Sequence, residues 1–178
     1  MRQLRTATCR NKVRTGSGSD RIPTHVVFGE LSMDTNETKR IGGVIVSHGQ
    51  VANELLSAAE AVVGDLSHIT AVSIGWHDDV EMAKSEIERA INEVSQGIGV
   101  LLLTDMFGGT PTNISAMFLD SNDIEIVTGV NLPMVIKLAS FNREISLQEL
   151  AIEVEAQGKE AILRATTLLV PHKMKKDA

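Results

Sequence analysis

Short, almost wholly apolar runs alternate along this chain with longer segments in which apolar residues recur every three or four positions. The apolar runs predict four strands, at IGGVIVS, ITAVSIG, GVLLLTD and IEIVTG. The helical spacing predicts helices over about 50–63, 80–94, 111–119, 131–141 and 146–165. Apolar strands that alternate with helices are typical of a parallel sheet covered on both faces. The pattern therefore predicts a doubly wound α/β fold with a mainly parallel four-stranded sheet and helices on both faces.

The helix after the first strand carries an apolar stripe that we expect to face the core. Its members recur at steps of three and four residues: Val51, Leu55, Ala58 and Val62. Gly64 follows the stripe and predicts the end of the helix.

The organisation of the chain is predicted to be one domain with two extensions. A length of 178 residues with 43% hydrophobic content suits a single core. Residues 1–40 show no sustained period and contain TGSGSD, so we expect a disordered basic extension, with Met33 as an alternative start. The domain is predicted over 41–170, and 171–178, PHKMKKDA, is a short basic tail.

Charge and composition argue against several classes of function, including nucleic-acid binding. Residues 1–40 hold eight Lys or Arg against four Asp or Glu, whereas 41–178 hold nine against nineteen. An acidic body with 3% aromatic residues argues against nucleic-acid binding, which relies on cationic and stacking side chains. Cys9 is the single cysteine, which excludes a disulfide framework. With no apolar run as long as a membrane span, we expect a cytoplasmic protein without direct membrane insertion.

Two polar residues follow apolar strands at the edge where doubly wound sheets bind ligands. His48 ends the first strand and Asp105 ends the third. Ligands bind outside the carboxyl ends of such strands. A carboxylate there can accept a hydrogen bond from one imidazole nitrogen and leave the other nitrogen as a nucleophile.

The segment MFGGTPTN after Asp105 has the composition of an anion site. Gly108 and Gly109 allow backbone amides to approach a ligand, while Thr110 is expected to cap a helix with Pro111 at its first position. A helix start favours anions, so a phosphoryl group is the natural guest. Taken singly, these residues also fit structural roles, as a hydrogen-bonded histidine, a loop aspartate and an ordinary helix start; together they predict a site.

Three motifs give the chain a family resemblance. SHG at 47–49, DMFGGTPTN at 105–113 and GVNLPM at 129–134 resemble the IIA component of the mannose family in the bacterial phosphoenolpyruvate-dependent sugar phosphotransferase system. The resemblance covers about residues 41–165. It implies that His48 is transiently phosphorylated, that Asp105 orients and polarises it, and that Thr110 helps to hold the phosphoryl group.

The same resemblance implies partners and an assembly. The expected donor is the histidine phosphocarrier HPr, and the expected acceptor is a separate IIB component. A homodimer is implied, in which an antiparallel carboxyl-terminal strand is exchanged; TTLLV at 166–170 is the candidate for this fifth strand. Phosphoryl transfer between nitrogens needs positioning and charge stabilisation, so we expect a phosphotransferase with no metal and no cofactor.

Several further residues lie near the predicted site. Gly49 and Asn131 are candidates for lining it, although Asn131 also fits a helix cap. His77 follows the second strand and fits a solvated loop better than the site, while His68 precedes that strand at the opposite edge.

Other functions compete with sugar transport. A regulatory IIA domain without a transport role uses the same chemistry. A receiver-like domain would instead be phosphorylated on Asp105, but it needs acidic residues for a divalent ion after the first strand, where this chain has SHG. A third hypothesis is a module that senses a small anion, without turnover, at the segment 106–110 around Gly108 and Gly109, called the glycine loop below.

Overall fold

The structure is a computed structural model that describes residues 39–75, 79–120, 123–141 and 144–169. The backbone divides into two units, Met1–Asn36 and Glu37–Ala178, and every described residue belongs to the second. Except for Lys39 and Arg40, the predicted basic extension lies outside the described residues, and so does the basic tail at 171–178. The domain limits at 41 and 170 stay predictions.

Strands and helices alternate through the first two thirds of the described chain. The order is β1 (Gly42–His48), α1 (Val51–Val63), β2 (Ile69–Ile74), α2 (Val80–Val94), β3 (Val100–Thr104), α3 (Thr110–Ser115) and β4 (Ile124–Thr128). A 3₁₀ helix, Ala116–Phe118, extends α3. The remaining helices are α4 (Leu132–Ala139), α5 (Leu147–Glu160) and α6 (Ala165–Leu169).

The four strands form one sheet in the order β2-β1-β3-β4. All three pairings are parallel. Val46 of β1, for example, lies opposite Val72 of β2 and Thr104 of β3. This arrangement confirms the predicted doubly wound, parallel α/β fold.

The core lies on both faces of the sheet because neighbouring residues of a strand point to opposite sides. Val44 and Val46 of β1 pack in one cluster with α2 and α3, whereas Ile45 packs in the other with α1, α4 and α5. Each of these three β1 side chains is fully buried. Burial on two faces explains why β1 and β3 lack the polar alternation of a half-exposed strand.

Helix α1 packs on the sheet through a face that is shifted from the predicted stripe: Leu55 packs against the core, but the two valines do not face it. Ala52 and Ala59 are fully buried, while Val51 and Val62 are 48% and 62% exposed. The buried hydroxyl of Ser47 accepts a hydrogen bond from the amide of Ala52 at 2.6 Å. This bond ties the first turn of α1 to β1 on the side where Ala52 and Ala59 are buried, while Val51 and Val62 lie on the outer side.

The predicted fifth strand is not a strand in this single chain. Ala165–Leu169 form the short helix α6, and Val170 lies outside the described residues. An exchanged strand takes its backbone hydrogen bonds from another chain, so a lone chain has no partner to hold this segment extended. The exchange stays a prediction. The last long helix is also shorter than predicted, since α5 ends at Glu160.

His68 is a buried histidine at the amino edge of the sheet, 2% exposed. Among the described residues, neither ring nitrogen has a partner with hydrogen-bond geometry. Burial is the largest influence and lowers the pKa of His68, and Arg40 lowers it further. The carbonyl of Leu138 and the charge of Asp65 act in the opposite direction, but the net pKa stays below the ordinary value of 6.5.

We predict that His68 makes the fold less stable in mild acid. The folded-state pKa is depressed, so the unfolded chain binds the proton more readily; stability is full above about pH 6.5 and falls as the pH decreases towards the folded pKa. The loss is at most about 1.4 kcal/mol per pH unit in that window. Urea unfolding of the wild type and His68→Leu at pH 7.5, 6.5 and 5.5 measures it. Equal losses in both proteins would contradict this origin.

Candidate functional site

The candidate site lies at the carboxyl edge of the sheet, between β1 and β3. These two strands are neighbours. The chain leaves β1 towards α1 on one face and leaves β3 towards α3 on the other. Loops that diverge in this way open a crevice, which is where doubly wound proteins bind ligands.

His48 and Asp105 meet in this crevice, as predicted from the sequence. One carboxylate oxygen, Oδ2, lies 2.8 Å from Nδ1 of the imidazole. The same oxygen accepts the backbone N–H of His48 at 2.9 Å. The side chains are 28% and 19% exposed respectively, so the pair is sheltered but open to a partner. Because a carboxylate only accepts hydrogen bonds, the geometry favours the tautomer with the proton on Nδ1.

The carboxyl of Asp105 is held in its charged form. Burial raises its pKa, but hydrogen bonds from the backbone and ring of His48, the charge of His48 and the amide of Met106 together lower it by more. The amide of Met106 donates to the second oxygen, Oδ1, at 2.8 Å. Both oxygens are therefore engaged, and the net pKa lies below the ordinary 3.8.

The glycine loop passes directly over the imidazole. A Cβ atom at Gly109 would lie 2.9 Å from Cε1 of His48, closer than side chains pack, so any other residue here would force the imidazole or the loop to shift. Gly108 has φ of 77°, a conformation that glycine adopts without strain. Its carbonyl accepts a hydrogen bond from the side chain of Asn113 at 3.3 Å. The two glycines thus allow the loop backbone to lie close to His48.

Thr110 does not cap α3 as the sequence predicts. Gly109 occupies the N-cap position, and no side chain caps the helix there. The carbonyl of Gly109 accepts the first helical hydrogen bond, from the amide of Asn113 at 3.0 Å. The helix therefore starts one residue earlier than predicted, and the exposed Thr110 lies inside its first turn, with Pro111 next to it.

The two candidate lining residues differ in their surroundings. The amide of Gly49 donates to the carbonyl of Ile74 at 3.0 Å, which joins the loop after β1 to the end of β2. Asn131 caps α4: its side-chain oxygen accepts from the amide of Met134 at 3.3 Å, and its nitrogen donates to the carbonyl of Gly158 at 3.3 Å. The cap is confirmed, and a role in lining the site stays a prediction for both.

Sequence reasoning missed two threonines beneath the loop. Thr104 ends β3 and Thr112 lies in α3; both are buried, and their hydroxyl oxygens are 2.7 Å apart. A polar residue at the end of an apolar strand, VLLLT, was the available signal. The distance between the two hydroxyls could not be read from the chain.

Some predicted features lie beyond what the structure describes. His77 is outside the described residues. In the described ranges, no three His, Cys, Asp or Glu side chains are grouped as a metal site. Within the same ranges, no helix combines the length and the apolar character needed to cross a membrane.

Comparison with known proteins gives a match over most of this domain. The family described as EIIA-man, "PTS system fructose IIA component", matches residues 42–155. This range contains His48, Asp105 and the glycine loop.

Individual relatives agree with this match. The chain is 25% identical over 122 residues to the PTS system fructose-specific EIIA component of Bacillus subtilis, covering 68% of this chain and 84% of that protein. It is 32% identical over 126 residues to the PTS system mannose-specific EIIAB component of Escherichia coli, covering 67% of this chain but only 38% of that protein. The crystal structure of phosphotransferase system component EIIA from Streptococcus agalactiae superposes with a TM-score of 0.65 and 25% identity, over 71% of this chain and 98% of that one.

The depressed pKa of Asp105 predicts a pH-dependent contribution to stability. The contribution is present above about pH 4 and is lost as the pH falls through the folded-state pKa, because the protonated carboxyl no longer accepts from both donors of His48. We expect Asp105→Asn to be roughly 1 to 3 kcal/mol less stable than the wild type at pH 7. The difference should shrink as the pH falls below 3.8 and through the folded-state pKa, which lies lower still. Unfolding in urea at pH 7 and at a series of pH values below 4 measures it, and a difference that stays constant through the whole acidic series would contradict the assignment.

Proposed function

This chain belongs to the EIIA-man family of the sugar phosphotransferase system, and from that premise we propose that His48 is its transiently phosphorylated residue. Membership makes the chain a phosphocarrier of that system and, in general terms, a phosphotransferase. The observation that carries the proposal is the 2.8 Å contact between Nδ1 of His48 and Oδ2 of Asp105. It gives the imidazole one defined tautomer and one defined orientation.

In the proposed reaction, Nε2 of His48 attacks the phosphoryl group of the donor. A proton on Nδ1, held by Asp105, leaves the lone pair of the ring on Nε2. A bond forms between phosphorus and Nε2 while the bond from phosphorus to the donor nitrogen breaks, and the donor nitrogen keeps the electron pair. The imidazole gains positive charge during the transfer. The adjacent carboxylate stabilises that charge, and the proton stays between Nδ1 and Asp105.

The glycine loop is the proposed binding site for the phosphoryl oxygens. Gly109 lies against Cε1 of His48, the ring atom bonded to Nε2, so the loop backbone is next to the attacking nitrogen. Amides of Gly108, Gly109 and Thr110 are suited to donate to a phosphoryl group, and the exposed Thr110 hydroxyl adds a further donor. Preorganised donors of this kind stabilise a loose transition state without a metal.

Asp105 is a poor candidate for the phosphorylated residue of a receiver-like domain. Oδ2 accepts two hydrogen bonds from His48, and Oδ1 accepts one from the amide of Met106. These bonds hold the carboxylate as an acceptor and reduce its nucleophilicity. No comparison favours the receiver-like alternative, so the histidine is the better site.

The proposed partners follow from the family. EIIA components take the phosphoryl group from an HPr-type carrier and pass it to IIB. For this chain we propose phospho-HPr as the donor and a IIB component as the acceptor, with the reaction in the cytoplasm, in a transport or a regulatory setting. Each transfer exchanges one phosphorus–nitrogen bond for another, so no cofactor enters the scheme.

We predict that His48→Ala removes phosphorylation completely. The wild type, incubated with phosphoenolpyruvate, enzyme I and HPr, should gain the mass of one phosphoryl group that is labile in acid and stable in alkali. Asp105→Asn should still be phosphorylated but roughly a hundredfold more slowly, because an amide can donate to Nδ1 and favours the wrong tautomer. Intact-mass spectrometry over time measures both.

The control is Ser115→Ala, which removes a buried hydroxyl of α3 that has no hydrogen-bond partner among the described residues. It should be phosphorylated at the wild-type rate. An adduct that survives His48→Ala and is lost in alkali would indicate an acyl phosphate and move the site to Asp105. Binding of phosphate without any covalent adduct would support the anion sensor.

The homodimer is a separate proposal with its own measurement. If residues 166–170 pair with a second chain, sedimentation equilibrium of the full-length protein should give a molecular mass twice that of the monomer. A chain that ends at Arg164 should then sediment as a monomer. A full-length protein that stays monomeric at high micromolar concentration would exclude the exchange.

A further inference from the structure

Two buried hydroxyls form a chain beneath the glycine loop. The hydroxyl oxygens of Thr104 and Thr112 are 2.7 Å apart. The hydroxyl of Thr112 in turn lies 2.6 Å from the backbone carbonyl of Met106. Thr104 is fully buried and Thr112 is 9% exposed, so water competes little for either bond.

The direction of these two hydrogen bonds is fixed because the last group in the series is a carbonyl oxygen. A carbonyl oxygen accepts and cannot donate, so the hydroxyl of Thr112 must donate to Met106. The hydroxyl of Thr112 then accepts from Thr104 through a lone pair. The hydrogen bonds therefore run in one direction, from Thr104 through Thr112 to Met106, and such chains strengthen each member.

Residue 106 is held at both ends as a result. Its amide donates to Oδ1 of Asp105 at 2.8 Å, and its carbonyl accepts from Thr112 at 2.6 Å. The opposite oxygen of Asp105 accepts from Nδ1 of His48. Hydrogen bonds, joined through the covalent backbone of Met106 and the carboxylate of Asp105, thus connect the buried threonines to the imidazole ring.

We propose that Thr112, supported by Thr104, is a positioning residue that sets the orientation of Asp105 and thereby the tautomer of His48. The inference rests on the proposed function for its effect on phosphoryl transfer, but its effect on the imidazole does not depend on that function. The hydroxyl of Thr112 donates to the backbone of Met106, and Met106 in turn donates to the carboxylate of Asp105. Thr112 therefore acts on the imidazole indirectly.

Without the Thr112 hydroxyl, the carbonyl of Met106 loses a buried donor, and the peptide unit between Met106 and Phe107 gains freedom to rotate. The amide that orients Oδ1 of Asp105 belongs to the preceding peptide unit, which shares the Met106 Cα, so a change in the backbone torsions of Met106 is passed on to that amide. The carboxylate then samples positions in which Oδ2 no longer faces Nδ1, and the proton of the ring redistributes to Nε2. A ring protonated on Nε2 has no lone pair there to attack phosphorus.

The experiment compares three variants on α3. Thr112→Val removes the hydroxyl and keeps the shape, Thr112→Ser restores a hydroxyl, and Ser115→Ala removes a buried hydroxyl that has no partner among the described residues. The first readout is the ¹⁵N chemical shifts of the His48 ring in the unphosphorylated protein at pH 8, which report the tautomer. The second is the rate of phosphorylation by phospho-HPr.

Thr112→Val is expected to shift the ring towards the Nε2–H tautomer and to slow phosphorylation by roughly ten- to a hundredfold. Thr112→Ser should bring both readouts back close to the wild type. Ser115→Ala should leave both unchanged. A purely structural role of Thr112 would lower the unfolding midpoint without moving the ring shifts.

Wild-type ring shifts in a folded Thr112→Val protein would overturn the proposal. If Thr112→Val does not fold, Thr104→Val decides, because it removes only the donor behind Thr112 and should move both readouts in the same direction by a smaller amount, about threefold in rate. Unchanged ring shifts in Thr104→Val would then overturn it. If the wild type itself is not phosphorylated, the proposed function fails, while the ring shifts still test the positioning role.

Discussion

One carboxylate oxygen holds the two halves of the site together. Oδ2 of Asp105 accepts both the backbone N–H and the ring N–H of His48, at 2.9 and 2.8 Å. The first bond fixes where the loop after β3 meets the end of β1, and the second fixes how the imidazole is turned. Because both donors converge on one atom, the loop cannot shift without turning the ring. The charge of that carboxylate is maintained by the same bonds that it accepts.

The sheet order makes this interaction possible. β1 and β3 are adjacent in the order β2-β1-β3-β4, although a helix–strand–helix segment separates them in the chain. Their helices leave towards opposite faces, so the backbone between them is not covered. A parallel sheet brings all carboxyl ends to one edge, and the switch of direction opens that edge. The fold therefore supplies both the proximity of His48 to Asp105 and the access that a protein partner needs.

The buried hydroxyls of α3 and β3 differ in whether they have hydrogen-bond partners. Thr104 and Thr112 are satisfied by each other and by the Met106 carbonyl, in a chain that ends at the site. Ser115, on the same helix as Thr112, has no partner among the described residues. The buried hydroxyls beside the candidate site are thus both hydrogen-bonded.

The sequence by itself determined the four strands, their parallel direction and the presence of His48 and Asp105 at one edge, because apolar periodicity and strand ends are local properties of the chain. Tertiary structure decided which face of α1 is buried, where a hydroxyl of β1, Ser47, bonds the amide of Ala52 in its first turn. It also decided that Gly109 and not Thr110 is the helix cap. These outcomes depend on three-dimensional distances between individual atoms, even where the residues are only four or five positions apart, and periodicity carries no information about such distances.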